Sequence, residues 1–190
     1  MTSVCSAPDL SFPTVLAKFE SFHRDPLNVA LHVLTTPLVF LGYMSLGAKA
    51  VGDWMLAGVA LAYVLSLPFC MNADGAVLHV TVGIFAVLAV SARRLARRSW
   101  TSVVATTLVG ALGQAAAHHV TGERAYMETY VAECRQGVVV RVTSLFFEQA
   151  FFQIPLVLSV SSPGWWPVML AVPLIAMAVP ARTARGHKEE

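Results

Sequence analysis

Four apolar runs with almost no charge follow one another at residues 29–46, 54–71, 76–92 and 102–117, separated by joints of only a few residues. Each comes close to the ~20 residues that an α-helix needs to cross the hydrocarbon core of a bilayer. The joints read GAKAVGD, NADG and ARRLARRSW. Polar connections that short are expected between antiparallel helices of one compact bundle. A content of 56% hydrophobic and 13% charged residues is also far from that of a soluble domain. The expected class is therefore all-α, a polytopic membrane helix bundle of four to six spans.

The remaining segments extend this reading. Residues 1–18 form an N-terminal tail whose first ten, MTSVCSAPDL, have neither a basic stretch nor an apolar core, so the first apolar run is expected to be a retained span rather than a cleaved leader. In 121–149, Glu123, Arg124, Glu128, Glu133, Arg135, Arg141 and Glu148 are scattered among apolar residues, the composition of an interfacial amphipathic helical segment. A last apolar block at 150–180 is broken by SSPGWWP and is either one interrupted span or a hairpin with its tryptophans at headgroup level. A polar tail, 181–190, follows. With no internal repeat or low-complexity linker, the chain reads as a single integral membrane domain, 1–190, whose 19–120 form the four-span bundle. The net charge of +2 gives no footprint for nucleic acid. Cys5, Cys70 and Cys134 are odd in number and lack ligand spacing, which leaves them as small apolar fillers.

Against this apolar background the histidines stand out. Consecutive spans alternate direction, so His23, His32, His79, His118 and His119 all fall near the face where the first span begins; only His187, in the polar tail, is apart. Asp25-Pro26 has the form of an N-cap followed by the first helical residue, which puts His23 outside the helix and free to fold back over the bundle. Asn28 and His32 are four apart and share a helix face, as do Gln114 and His118, and His119 and Glu123. Ionisable groups at membrane depth face a cavity or one another, and imidazole suits iron, copper, zinc or nickel. His23, His32, His118 and His119 are the candidate ligands, with His79 a fifth. Asn28, Gln114 and Glu123 are available to orient them. The plainer alternative for each histidine is a hydrogen-bonded helix-packing residue.

The run His23, Pro26, Asn28, His32, Pro37, spaced H-x-x-P-x-N-x-x-x-H-x-x-x-x-P, resembles the N-terminal signature of the membrane-bound 2-hydroxy-fatty-acid dioxygenase family, which acts in phytosphingosine degradation. GQAAAHHVTGE is similar to that family's second signature, Q-x-x-G-H-x-x-x-E, at the end of the fourth span. The similarity extends over most of 19–158. It departs in one place: Ala117 stands where the family has glycine, and the acid falls one residue late, so Glu123 is at family distance from His119 rather than from His118. Either histidine can be the matching ligand, and Gly122 can absorb the extra residue through its conformational freedom.

The resemblance implies an Fe(II) enzyme that uses dioxygen as co-substrate, without 2-oxoglutarate, to shorten a long-chain 2-hydroxy fatty acid by one carbon. It also implies an endoplasmic reticulum location in a eukaryote; a bacterial chain would sit in the plasma membrane. Arg24 and Arg124, on the histidine side, are candidates to hold the substrate carboxylate by bidentate pairing, or ordinary interfacial anchors. Membrane lipids are the expected surroundings, and oligomeric state is left open. Three other readings compete: a haem protein with histidines as axial ligands, a zinc-dependent lipid hydrolase, and a non-enzymatic helical membrane protein whose histidines pack or respond to pH.

Overall fold

A computed structural model describes residues 11–70, 74–125 and 152–178, and all regular structure among them is helical. The helices are α1 (Phe12–Ser21), α2 (Pro26–Val51), α3 (Trp54–Cys70), α4 (Gly75–Ala96), α5 (Trp100–Thr121), α6 (Gln153–Val160) and α7 (Trp166–Ala178), with a 3-10 turn at Pro163–Trp165 between the last two. Their starts are set by short polar side chains that take up free backbone N–H groups. Asp25 accepts from Leu27 N at 2.7 Å, Asp74 from Ala76 N at 2.9 Å, and Ser99 from Ser102 N at 3.2 Å. The Asp25-Pro26 start is as expected from sequence.

Helices α2 and α4 are each long and apolar enough to cross a membrane. Pro37 lies inside α2 without ending it, as neighbouring helices permit in such an environment. Many large apolar side chains point outward, among them Leu61 and Leu65 of α3, Val82 and Val90 of α4, and Val104, Leu108 and Leu112 of α5. The inward faces of the same helices supply Tyr63 and Leu67, Ile84 and Leu88, and Val103 to the core, where Leu41 of α2 joins them.

The two helices that matter most for the site, α2 and α5, run antiparallel at close range. Their meeting points are Asn28 with His118, Thr36 with Gln114, and Val39 with Gly110 and Thr107 with Gly42. From Thr36 to Gly42, each step of three residues along α2 is matched by one of three or four back along α5. Glycine at Gly42 and Gly110 permits this, because a Cβ on Gly42 would lie 2.6 Å from Thr107 Cα and one on Gly110 2.5 Å from Val39 N. At the far end, Lys49 Nζ donates to Ala96 O and Arg98 O at 2.9 and 2.6 Å, so the last turn of α2 closes the carbonyl end of α4.

One sequence expectation is revised. Residues 12–18, read as tail, belong to α1, whose Phe12, Val15 and Phe19 are buried; Phe12 packs on Phe152 at 5.8 Å between ring centroids. Of the last apolar block, left open as one interrupted span or a hairpin, residues 152–178 form α6, the 3-10 turn and α7. At its start Phe152 lies beside α1, and near its end Met177 O accepts from Arg98 at 2.5 Å. At the break, Trp166 Nε1 donates to Leu158 O at 3.2 Å. Of the amphipathic stretch at 121–149, residues 126–149 lie outside the described residues, as do Cys5 and Cys134.

Candidate metal centre

Three imidazoles meet at the end of the bundle where α1, α2 and α5 come together. His23 lies in the turn between α1 and α2, His32 two turns into α2, and His118 in the last turn of α5. Ring centroids are 4.6 Å apart for His23 and His32, 5.1 Å for His23 and His118, and 4.9 Å for His32 and His118, each pair meeting edge to face. The candidate ligand atoms all lie within 4.8 Å of one another. His23 and His32 are 5% and 3% exposed.

The backbone sets the protonation pattern of two of these rings. His23 Nδ1 is 2.9 Å from Phe19 O, and His32 Nδ1 is 3.0 Å from Asn28 O, in each case a carbonyl four residues earlier. A carbonyl only accepts, so both Nδ1 atoms carry hydrogen and both Nε2 atoms keep a lone pair. This is how metal-binding histidines are commonly oriented. Phe19 also stacks on the His23 ring at 3.7 Å and 14°, which screens that face from solvent. His23 Nε2 is buried with no hydrogen-bond partner. Burial, and then the neighbouring His32, push the His23 pKa down from 6.5 to about 3, so the ring is neutral across the physiological range. Three convergent imidazoles, one with its buried lone pair unsatisfied, fit a divalent transition metal.

Glu123 and Asn28 fasten the three elements together. Glu123 Oε1 accepts from Arg24 N at 2.8 Å and Asp25 N at 3.0 Å, while its Oε2 accepts from Asn28 Nδ2 at 2.5 Å. Asn28 Nδ2 also donates to Phe22 O at 3.1 Å. Desolvation works to raise the Glu123 pKa, but the Asn28, Arg24 and Asp25 donors, with His118, outweigh it and hold the carboxyl below its usual range.

The approach of Glu123 to α2 depends on Gly122. This residue follows α5 in the left-handed conformation, φ 68° and ψ 10°, a common way to end a helix. The turn brings Glu123 back toward α2, so His118 and Glu123 serve the same site despite the extra residue between them. His119, expected as a fourth ligand, is exposed. Consecutive residues differ by about 100° around a helix, so α5 can aim only one of the two histidines at the cluster.

The other candidates divide as follows. His79 is exposed, with Nδ1 at 2.6 Å from Gly75 O, and takes no part in the cluster. Gln114 donates to Thr36 Oγ1 at 3.0 Å, one turn below the imidazoles, and locks α5 to α2 there. Arg24 and Arg124 are exposed and adjoin His23 and Glu123 in sequence, at the outer rim of the site. Phe19, which both stacks on and accepts from His23, was not among the sequence candidates. The spacing of Phe12, Val15, Leu16 and Phe19 carries the signal of an apolar helix face.

Comparison with protein-family models, with curated proteins and with solved structures finds no match.

Proposed function

We propose that His23, His32 and His118 hold a ferrous ion, and that the protein is a membrane dioxygenase that shortens long-chain 2-hydroxy fatty acids by one carbon. The observation that carries this reading is the convergence of three imidazoles from three helical elements, two with Nδ1 tied to carbonyls, around the buried, unpartnered Nε2 of His23. The signature residues His23, Asn28, His32, His118 and Glu123 are the ones that meet there, which supports the family resemblance. In this reading the chain crosses its membrane four to six times. It resides in the endoplasmic reticulum of a eukaryote or the plasma membrane of a bacterium.

A ferrous ion bound at the three nitrogens would supply the redox chemistry, bringing dioxygen and the acid together. The chain's own residues prepare that chemistry. Neutral imidazoles leave the charge of a divalent ion uncancelled, and a carboxylate is drawn to it. Phe19 and the surrounding helices keep water from one side of the donors, which strengthens electrostatic attraction within the site. Arg24 and Arg124 stand at the rim as guanidinium partners for the carboxylate. The outward apolar faces of the helices suit an acyl chain already dissolved in the bilayer. Oxidation of R-CH(OH)-COOH by one dioxygen to R-COOH, carbon dioxide and water draws all four electrons from the acid itself, so no 2-oxoglutarate is required.

The ring geometry also weighs between the competing readings. Imidazoles with centroids 4.6–5.1 Å apart leave no slot for a porphyrin between them, which disfavours a haem. Three neutral histidines are a donor set that zinc also accepts, so the test must separate oxidation from hydrolysis. The protein, purified in detergent and loaded anaerobically with ferrous iron, is given 2-hydroxypalmitate with and without dioxygen. Pentadecanoic acid formed in step with dioxygen uptake, and lost in His32→Ala, is the expected result. Iron-loaded protein that consumes no dioxygen, or zinc-loaded protein that cleaves an amide or ester without it, would overturn the proposal.

A further inference from the structure

Asn28 has a buried polar atom that no protein group satisfies. The residue is 0% exposed, and its Oδ1 has no hydrogen-bond partner. Which end of the amide is the oxygen is dictated by its neighbours. Phe22 O and the Glu123 carboxylate, at 3.1 and 2.5 Å from Nδ2, are both acceptors, so the NH2 group must face them and the oxygen must face away. Asn28 Nδ2 also stands 3.4 Å from His118 Nδ1, which sets the amide against the imidazole cluster, and Asn28 precedes His32 by one helical turn. Asn28 Oδ1 and His23 Nε2 are thus two buried lone-pair atoms in one cluster, each left open. An unsatisfied buried acceptor costs about 1–3 kcal/mol, and a cation held by the neighbouring imidazoles is a partner of the right charge for it.

We propose that Asn28 Oδ1 is a fourth protein donor to the ion held by His23, His32 and His118, and that Glu123 is the positioning residue that keeps the oxygen turned toward it. This rests on the metal reading above and extends it. An amide oxygen is neutral, so the donor set keeps its charge balance. It is also a weaker donor than imidazole and can yield its place to a bidentate 2-hydroxy carboxylate. The Glu123 carboxylate itself stays out of the ion's reach, occupied by Arg24 N, Asp25 N and Asn28 Nδ2.

The test is a Co2+ titration of the full-length protein in detergent, followed by calorimetry and by ligand-field absorption. In Glu123→Gln, Oε1 can still accept from Arg24 N and Asp25 N, but an NH2 replaces Oε2 and confronts the NH2 of Asn28. The Asn28 amide must turn over, which withdraws its oxygen from the ion. The expected result is a loss of about 10–100-fold in Co2+ affinity with a changed ligand-field spectrum. Asn28→Leu, similar in size but without a donor, shows the same loss as Glu123→Gln while helical content by circular dichroism is unchanged. Stoichiometric Co2+ binding that is lost in His32→Ala yet equal in wild type, Glu123→Gln and Asn28→Leu would overturn the fourth donor and leave the three-histidine site standing. Glu123→Gln that binds Co2+ as tightly as wild type while Asn28→Leu loses affinity, with helical content intact in both, would overturn the positioning role of Glu123. Wild-type protein that takes up no Co2+ would overturn the metal site itself.

Discussion

Gly110 of α5 meets the backbone of α2 at Val39, where a Cβ would lie 2.5 Å from Val39 N. The obstacle is main chain, so no rotamer change can relieve it. This contact lies two turns from His118 and sets how near His118 can come to His32.

Gly110→Ala should therefore force α2 and α5 apart. Overpacking of this kind costs about 1–3 kcal/mol, and bound metal should fall although none of the three clustered histidines has been changed. Gly83→Ala, in α4, is the control: no atom lies within 4 Å of its added Cβ, and replacing a helical glycine by alanine favours the helix by up to about 1 kcal/mol. Thermal unfolding in detergent with metal analysis checks both, and equal behaviour of the two variants would refute the close-packing account.

The adjacent histidines of α5 should separate cleanly on mutation. His118→Ala removes one of the three clustered rings and should abolish stoichiometric metal. His119→Ala alters an exposed side chain and should leave metal content unchanged and stability within about 0.5 kcal/mol. The opposite pattern in elemental analysis would exchange their roles.

Stability of the metal-free protein should depend on pH through His23. Its pKa is about 3 in the folded chain against 6.5 when unperturbed, so the unfolded chain binds the proton more tightly. The stabilisation is complete above about pH 6.5 and is lost as pH falls toward about 3, with a slope approaching ~1.4 kcal/mol per pH unit. Unfolding of chelator-treated protein across this range should show the trend, and His23→Phe should reduce the slope, leaving the part at the acid end that Glu123 contributes. Identical slopes would mean that the imidazole is not desolvated.

Two cations at the opposite end of the bundle should differ sharply in worth. Arg93 pairs with Asp53 at 2.6 Å with both side chains largely exposed, and Asp53→Asn should cost less than about 1 kcal/mol. Lys49 is half-buried, donates to two carbonyls of the α4 terminus and lies 5.1 Å from the Trp100 ring centre. Lys49→Met leaves those carbonyls without their charged donor and should cost about 2 kcal/mol, read as a drop in melting temperature.

Much of the site could be read before the fold was known, because its determinants are local. Asp25-Pro26 predicts the helix start that places His23 in a turn, and the four-residue spacing of Asn28 and His32 predicts their shared face. α1 was harder to see. Ten residues with three buried apolar side chains are too short to register as a span, and their role depends on Phe152, over a hundred residues away. Gln114 has its expected spacing from His118, but α2 offers Thr36 at that level, so it pins helices rather than orienting an imidazole.

Apolar periodicity and capping chemistry determine by themselves that this chain forms helices, where most of them begin, and that His23, His32 and His118 fall at one end of the bundle. These are properties of neighbours in the chain, since hydrogen bonds within a helix and the cost of exposing apolar side chains act over a few residues. The tertiary structure decided which of His118 and His119 turns inward, how Gly122 returns Glu123 to α2, and which way the Asn28 amide faces. Each of those depends on atoms some ninety residues apart meeting at hydrogen-bond distance, and that meeting exists only once Gly42 and Gly110 have let α2 and α5 close on each other.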